Sequence, residues 1–163
     1  MPDFPIPIAI TISPKQDMTR LKQPHIQHAK YAYPLAKLFK KFSSYYGRPE
    51  LTISNLVHYH FLLSIEDEDQ YVQWTRTTLP NMQKLGNIKV KIVHKEQGWL
   101  DYINKDKELY DKIFKNTWDI PIELTPETLK KYTKDKPMKN IPIEPLDEGI
   151  NKIVKSITIS FNS

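Results

Sequence analysis

Cysteine is absent from the chain, which excludes disulfides and thiolate metal sites and fits a reducing compartment such as cytosol or nucleus. No apolar run approaches the roughly 20 residues of a membrane span. The opening residues, Met1-Pro2-Asp3-Phe4-Pro5, lack the basic and apolar regions of a secretion leader, so a secreted protein is not expected. Internal repeats and low-complexity tracts are lacking too. What is there is a globular composition, 39% hydrophobic and 26% charged over 163 residues, long enough for one domain with a real core. The net charge of +5 favours an anionic partner such as nucleic acid, although lysines spread along helices equally make an ordinary solvated face.

Residues Ile6 to Ser13 alternate and read as a strand stopped by Pro14. Lys15 to His28 is polar and reads as a loop. Leu35, Leu38, Phe39 and Phe42 have helical spacing, which predicts a helix over Tyr33–Tyr46 with Pro34 in its first turn and Gly47 as its stop. Two strands, Glu50–Ser54 and Val57–Ile65, are expected to form a hairpin turning at Ser54-Asn55. The acidic run Glu66 to Asp69 suits the N-terminus of a helix over Gln70–Gln83. A strand over Ile88–Val93 and a third helix from Trp99 to Phe114 follow. From Asn116 onward prolines break up the text, leaving a short helix at Pro126–Thr133 and a last segment ending in a strand at Ser156–Phe161. The order predicts an α+β domain over residues 1–115, a central antiparallel sheet of about five strands flanked by helices, with residues 116–163 a proline-punctuated extension packed on or near it.

The second strand of the hairpin carries His58 and His60, which alternation puts on one face. Two neutral imidazoles are a ready pair of ligands for a divalent ion. Cross-strand partners around a turn centred near Ser54 sum to a constant, which sets Glu50 opposite His58 on that same face. Glu50, His58 and His60 then form a nitrogen-and-oxygen donor set that suits Mn²⁺ or Mg²⁺ beside a phosphate. The same residues also read as two surface histidines and a surface carboxylate.

On a helical wheel Trp99, Ile103, Tyr110, Ile113 and Phe114 make an apolar stripe, with Tyr102 at its edge and Lys105 beside it. Asp106 falls inside the stripe, where a carboxylate needs a partner, either the metal or a cation. Tyr102 and Lys105 also suit a rim aromatic and a solvated lysine. Joined to a metal they suggest one reaction: a tyrosine hydroxyl attacks a phosphate whose charge the ion and Lys105 neutralise, leaving a covalent phosphotyrosine and a 3′-hydroxyl. Lys89 and Lys91 share one face of their strand and make a basic stripe for tracking phosphates.

His58-Tyr59-His60 and Tyr102-Ile103-Asn104-Lys105-Asp106 resemble the second and third motifs of HUH endonuclease domains, those of rolling-circle replication initiators (Rep proteins) of small circular single-stranded DNA viruses. Ile10-Thr11-Ile12-Ser13-Pro14 is similar to the first motif, and Glu50 stands where members often place a metal-binding glutamate. The resemblance covers roughly residues 6–114. It implies an RRM-like HUH fold, site-specific nicking and joining of single-stranded origin DNA by Tyr102, a divalent metal, and a location in a host nucleus or cytoplasm. Viral members usually continue into a helicase with a Walker A loop, and none occurs here; the chain is then a nuclease fragment or a stand-alone initiator served by a separate helicase. A transposase or plasmid relaxase of the same chemistry, a non-catalytic nucleic-acid-binding module and, more weakly, a zinc hydrolase are the competing readings.

Overall fold

The computed structural model describes residues 3–15, 21–114 and 121–135. Strands β1 (Ile6–Pro14), β2 (Ser44–Leu51), β3 (Val57–Ile65) and β4 (Gly86–Ile92) form one open antiparallel sheet in the order β2-β3-β1-β4. Helix α1 is Pro24–Phe39. Next come α2 (Glu68–Gln73) and α3 (Leu79–Leu85), joined through a π-helical turn at Trp74–Thr78. Helices α4 (Glu96–Ile103), α5 (Lys107–Phe114) and α6 (Pro126–Asp135) complete the α+β domain. Four strands are seen among the described residues; the fifth expected one, Ser156–Phe161, lies outside them.

Period-two alternation sorts each strand into two faces. Ile8, Ile10 and Ile12 of β1 and Tyr59, Phe61, Leu63 and Ile65 of β3 are buried on one face. Leu35, Ala36 and Phe39 of α1 lie against it, with the Phe39 ring stacked on Phe61 at 4.3 Å. The opposite face carries Thr11, His58, His60, Glu50, Lys89 and Lys91, and α4 and α5 cover part of it.

Helix α1 begins nine residues before Tyr33, inside the stretch that reads as a loop, and stops before Tyr46. Two buried polar residues, Gln27 and His28, sit in its inward stripe and interrupt the apolar period. Gln27 is satisfied there: its amide donates to the Asn55 carbonyl at 2.8 Å and accepts from the Val57 N–H at 3.0 Å. Pro34 stands within the helix rather than in its first turn, and packing on the sheet carries the helix past it.

Residues 44–51 pair with β3 as a strand instead of finishing the helix, so Gly47 is a strand residue. A Cβ there would lie 2.2 Å from the Phe61 ring, and glycine is the residue that leaves this core ring its space. Asp67 caps α2 by accepting the Gln70 N–H at 2.8 Å, which is the use of the acidic run.

The helix expected over Trp99–Phe114 is two helices. Between them Asp106 takes a left-handed backbone with φ of 55°, a conformation that Asn and Asp tolerate better than most residues. Beyond α5, Leu124 exchanges two backbone hydrogen bonds with Gly47 on the outer edge of β2, at 2.9 and 3.1 Å. Leu124 and Leu129 are buried in the core, so this part of the extension is packed into the domain.

Candidate active site

The β2–β3 hairpin centres on Ser54, with Leu51 paired to Val57 and Glu50 to His58. In the next row Arg48, His60, Thr11 and Lys89 stand side by side across all four strands. Register thus puts a carboxylate, two imidazoles, a hydroxyl and an ammonium on one sheet face. Glu50 reaches diagonally, and its Oε2 lies 2.7 Å from His60 Nε2. The other ring nitrogen, His60 Nδ1, is 3.1 Å from Thr11 Oγ1. When Nε2–H donates to Glu50, the Thr11 hydroxyl donates to Nδ1; when Nε2 is stripped, Nδ1–H donates to Thr11. The hydroxyl serves either tautomer.

Burial is the main influence on both histidines and lowers their pKa. The neighbouring His60 pushes His58 the same way, while Glu50 partly opposes the shift at His60. Both rings are therefore neutral at pH 7, the state a metal ligand needs. Tyr59, between them in sequence, points to the core and is fully buried.

Helix α4 lies over this face. Its Trp99 indole N–H donates to the Phe61 carbonyl at 2.8 Å, fastening the helix to β3. Tyr102, one helical step on, stacks on Trp99 with ring centres 5.1 Å apart and meets the His60 ring edge-on at 5.2 Å. It remains 41% exposed, so a substrate can reach it. Lys105 Nζ sits 4.1 Å from the centre of the Tyr102 ring and 3.8 Å from Glu50 Oε1. Partial desolvation works against the Lys105 cation, but the Tyr102 hydroxyl and the Glu50 charge outweigh it and raise its pKa. Lys105 is a proton donor and a positive charge at neutral pH, not a base.

Glu50, His58, His60, Trp99 and Tyr102 border a cleft of about 1040 Å³ whose other wall is β4, and Lys105 stands behind Tyr102 without lining it. Lys89 and Lys91 line it, with Lys91 Nζ 5.5 Å from the centre of the Trp99 ring. Asp106 does not line it. The helical period places Asp106 within an apolar stripe, but the break between α4 and α5 leaves it exposed at the turn.

Among the described residues no three His, Asp or Glu side chains stand ready-grouped around a point; Glu50 and His60 are joined directly as a pair. Their donor set still fits an ion. A 2.7 Å hydrogen bond between two potential ligands is one whose proton a divalent cation can replace, and Thr11 then accepts from the far side of the His60 ring as an outer partner. Glu50, His60 and, beside them, His58 are the residues that would hold Mn²⁺ or Mg²⁺.

Thr11, which the sequence offers only within the first-motif resemblance, and Trp99, which it offers only in an apolar stripe, are site residues to which motif reading gives no role. Thr11 had a signal, since Ala9, Thr11 and Ser13 alternate with buried Ile8, Ile10 and Ile12, but its use depends on strand order. Comparison of the chain with protein-family models, curated proteins and solved structures gives no match.

Proposed function

We propose that this chain is an HUH-type endonuclease domain of a rolling-circle replication initiator, which nicks and rejoins single-stranded DNA through a covalent link to Tyr102. The observation that carries the reading is the Tyr102 ring 5.2 Å from the His60 ring, in a cleft shared with Glu50 and His58, with Lys105 held against Tyr102 and Glu50. The four-stranded antiparallel sheet, with the histidine pair on an interior strand and the tyrosine helix laid over it, supports assigning the fold to the HUH type.

Lys89 and Lys91 draw the phosphate backbone along β4, and Trp99 with Tyr102 offers an aromatic surface to a base. A bound Mn²⁺ or Mg²⁺ supplies Lewis-acid neutralisation of the phosphate oxygens. The Tyr102 oxygen bonds to phosphorus, the bond from phosphorus to the 3′-oxygen breaks, and the phenolic proton passes through water to that oxygen. Lys105 stabilises the negative charge that gathers at the phosphate and at the phenolic oxygen. The 5′-phosphotyrosyl bond retains the energy of the broken linkage, so attack by a 3′-hydroxyl restores both strand and tyrosine without ATP.

The test is a random-sequence pool of single-stranded oligonucleotides, labelled at the 3′ end, incubated with the chain and Mn²⁺ and run on a denaturing gel. A labelled covalent adduct is expected in the wild type, absent from Tyr102→Phe and from His58→Ala with His60→Ala. DNA binding without adduct in any variant, wild type included, would leave a non-catalytic binding module.

A further inference from the structure

Next to the cleft, on the same face of β2, Tyr46 and Arg48 point beneath the junction of α4 and α5. Arg48 is only 2% exposed; its guanidinium meets Asp111 of α5 and donates to Glu123 Oε1 at 2.9 Å. Lys107, the first residue of α5, reaches the same Glu123 oxygen at 2.9 Å. The Tyr46 hydroxyl donates to Asn104 Oδ1 at 2.6 Å and lies 3.4 Å from Glu123. Asn104 in turn donates from Nδ2 to the Leu100 carbonyl at 3.0 Å. These hydrogen bonds run from the sheet through Asn104 into the last turn of α4, the turn that carries Tyr102.

A helix of eight residues has little stability of its own, and its terminal carbonyls need partners. Helix α4 has two fastenings, Trp99 at its middle to the Phe61 carbonyl and Asn104 just past its last residue to Tyr46. Glu123, a residue of the segment after α5, holds Arg48 of β2 and Lys107 of α5 at once, and so ties the strand that carries Tyr46 to the junction that carries Asn104. Burial first, then Glu123, raises the Tyr46 pKa, so the phenol stays a donor throughout neutral pH. Burial alone would raise the Glu123 carboxyl, but Lys107 and Arg48 more than offset that, and it is ionised.

We propose that Tyr46, Asn104 and Glu123 are positioning residues for the nucleophile, and that the segment following residue 120 completes the nicking site by holding the turn behind Tyr102. This rests on the nickase reading of Tyr102. Displacing a reacting group by about 1 Å costs on the order of 100-fold in rate, so a loosened turn acts on attack rather than on DNA affinity.

The experiment uses the full chain with Tyr46→Phe, Asn104→Ala, the double variant and Glu123→Gln. Three quantities are read: single-turnover adduct formation at saturating single-stranded DNA with Mn²⁺, DNA affinity by fluorescence anisotropy, and hydrogen exchange at the Lys105 and Lys107 amides. Tyr46→Phe and Glu123→Gln are expected to slow adduct formation at least about 10-fold, leave affinity within about twofold, and speed exchange at both amides. The double variant is expected to be no slower than the worse single one, as for two ends of one hydrogen bond. Wild-type adduct formation with an unchanged rate in Tyr46→Phe overturns the positioning role alone. No adduct from the wild type removes the nickase reading and this role with it.

Discussion

Lowering the pH should weaken this fold through one buried ring, His28. Its Nε2–H donates to the Pro121 carbonyl at 3.0 Å, so Nδ1 must accept, and it takes the Tyr59 hydroxyl at 2.8 Å. Tyr59 is held protonated by its own burial, which raises its pKa well above the usual range. A second proton on His28 would turn the Tyr59 hydroxyl from donor to acceptor, leaving its own proton only the His28 carbonyl 3.4 Å away, and would put an unsolvated charge in the core. Burial, with a minor contribution from Arg48 and against the Pro121 hydrogen bond, depresses the His28 pKa from 6.5 to about 4. Between those values the unfolded chain binds a proton that the native state refuses. The stabilisation is whole above about pH 6.5 and is lost as the pH falls toward 4. Linkage over that shift gives a loss of about 2 kcal/mol between pH 7.5 and pH 5, approaching about 3 kcal/mol at pH 4. Urea unfolding followed by tryptophan fluorescence, for the wild type and His28→Gln, isolates the ring. Glutamine can still donate to Pro121 but does not titrate, and the other acids and histidines cancel in the difference. The stability gap between the two proteins should shrink with acid by that amount. A gap that stays constant from pH 7.5 to pH 5 would refute the assignment of a neutral, doubly bonded His28.

Gly47→Ala forces a methyl into the Phe61 ring and should destabilise by about 1–3 kcal/mol, read as a lower urea midpoint with an unchanged slope. Thr11→Val removes the outer partner of His60 and should weaken Mn²⁺ binding about 10-fold by calorimetry while leaving the fold intact; an unaltered affinity would mean the ion does not use His60. Lys89→Ala with Lys91→Ala should lower affinity for single-stranded DNA at all sequences. It should also flatten the plot of log affinity against log salt by roughly 0.7 for each phosphate no longer neutralised, measured by anisotropy at several salt concentrations.

The site lies on elements whose periods survive translation into three dimensions. Alternation in β3 turns His58 and His60 to one side, and a hairpin centred on Ser54 brings Glu50 opposite His58; both follow from local rules of spacing and turn symmetry. The helical period likewise brings Tyr102 and Lys105 to neighbouring positions, although it misses the turn after Asn104 and so misplaces Asp106. Helix α1 is harder to read because its inward stripe includes Gln27 and His28, whose partners, Asn55, Val57, Tyr59 and Pro121, are far away in sequence.

By itself, then, the sequence determined which residues share a face, because a strand and a helix have fixed periods. Only the tertiary structure decided which faces meet. Pairing with β3 drew residues 44–51 out of a helix and made Gly47 a space for Phe61. The order β2-β3-β1-β4 placed Thr11 against the second ring nitrogen of His60. Burial of Arg48 beneath α5 and the segment around Glu123 settled where the turn behind Tyr102 comes to rest. Hydrogen bonds and packing between distant segments outweigh local propensity at those positions, and no period along the chain encodes them.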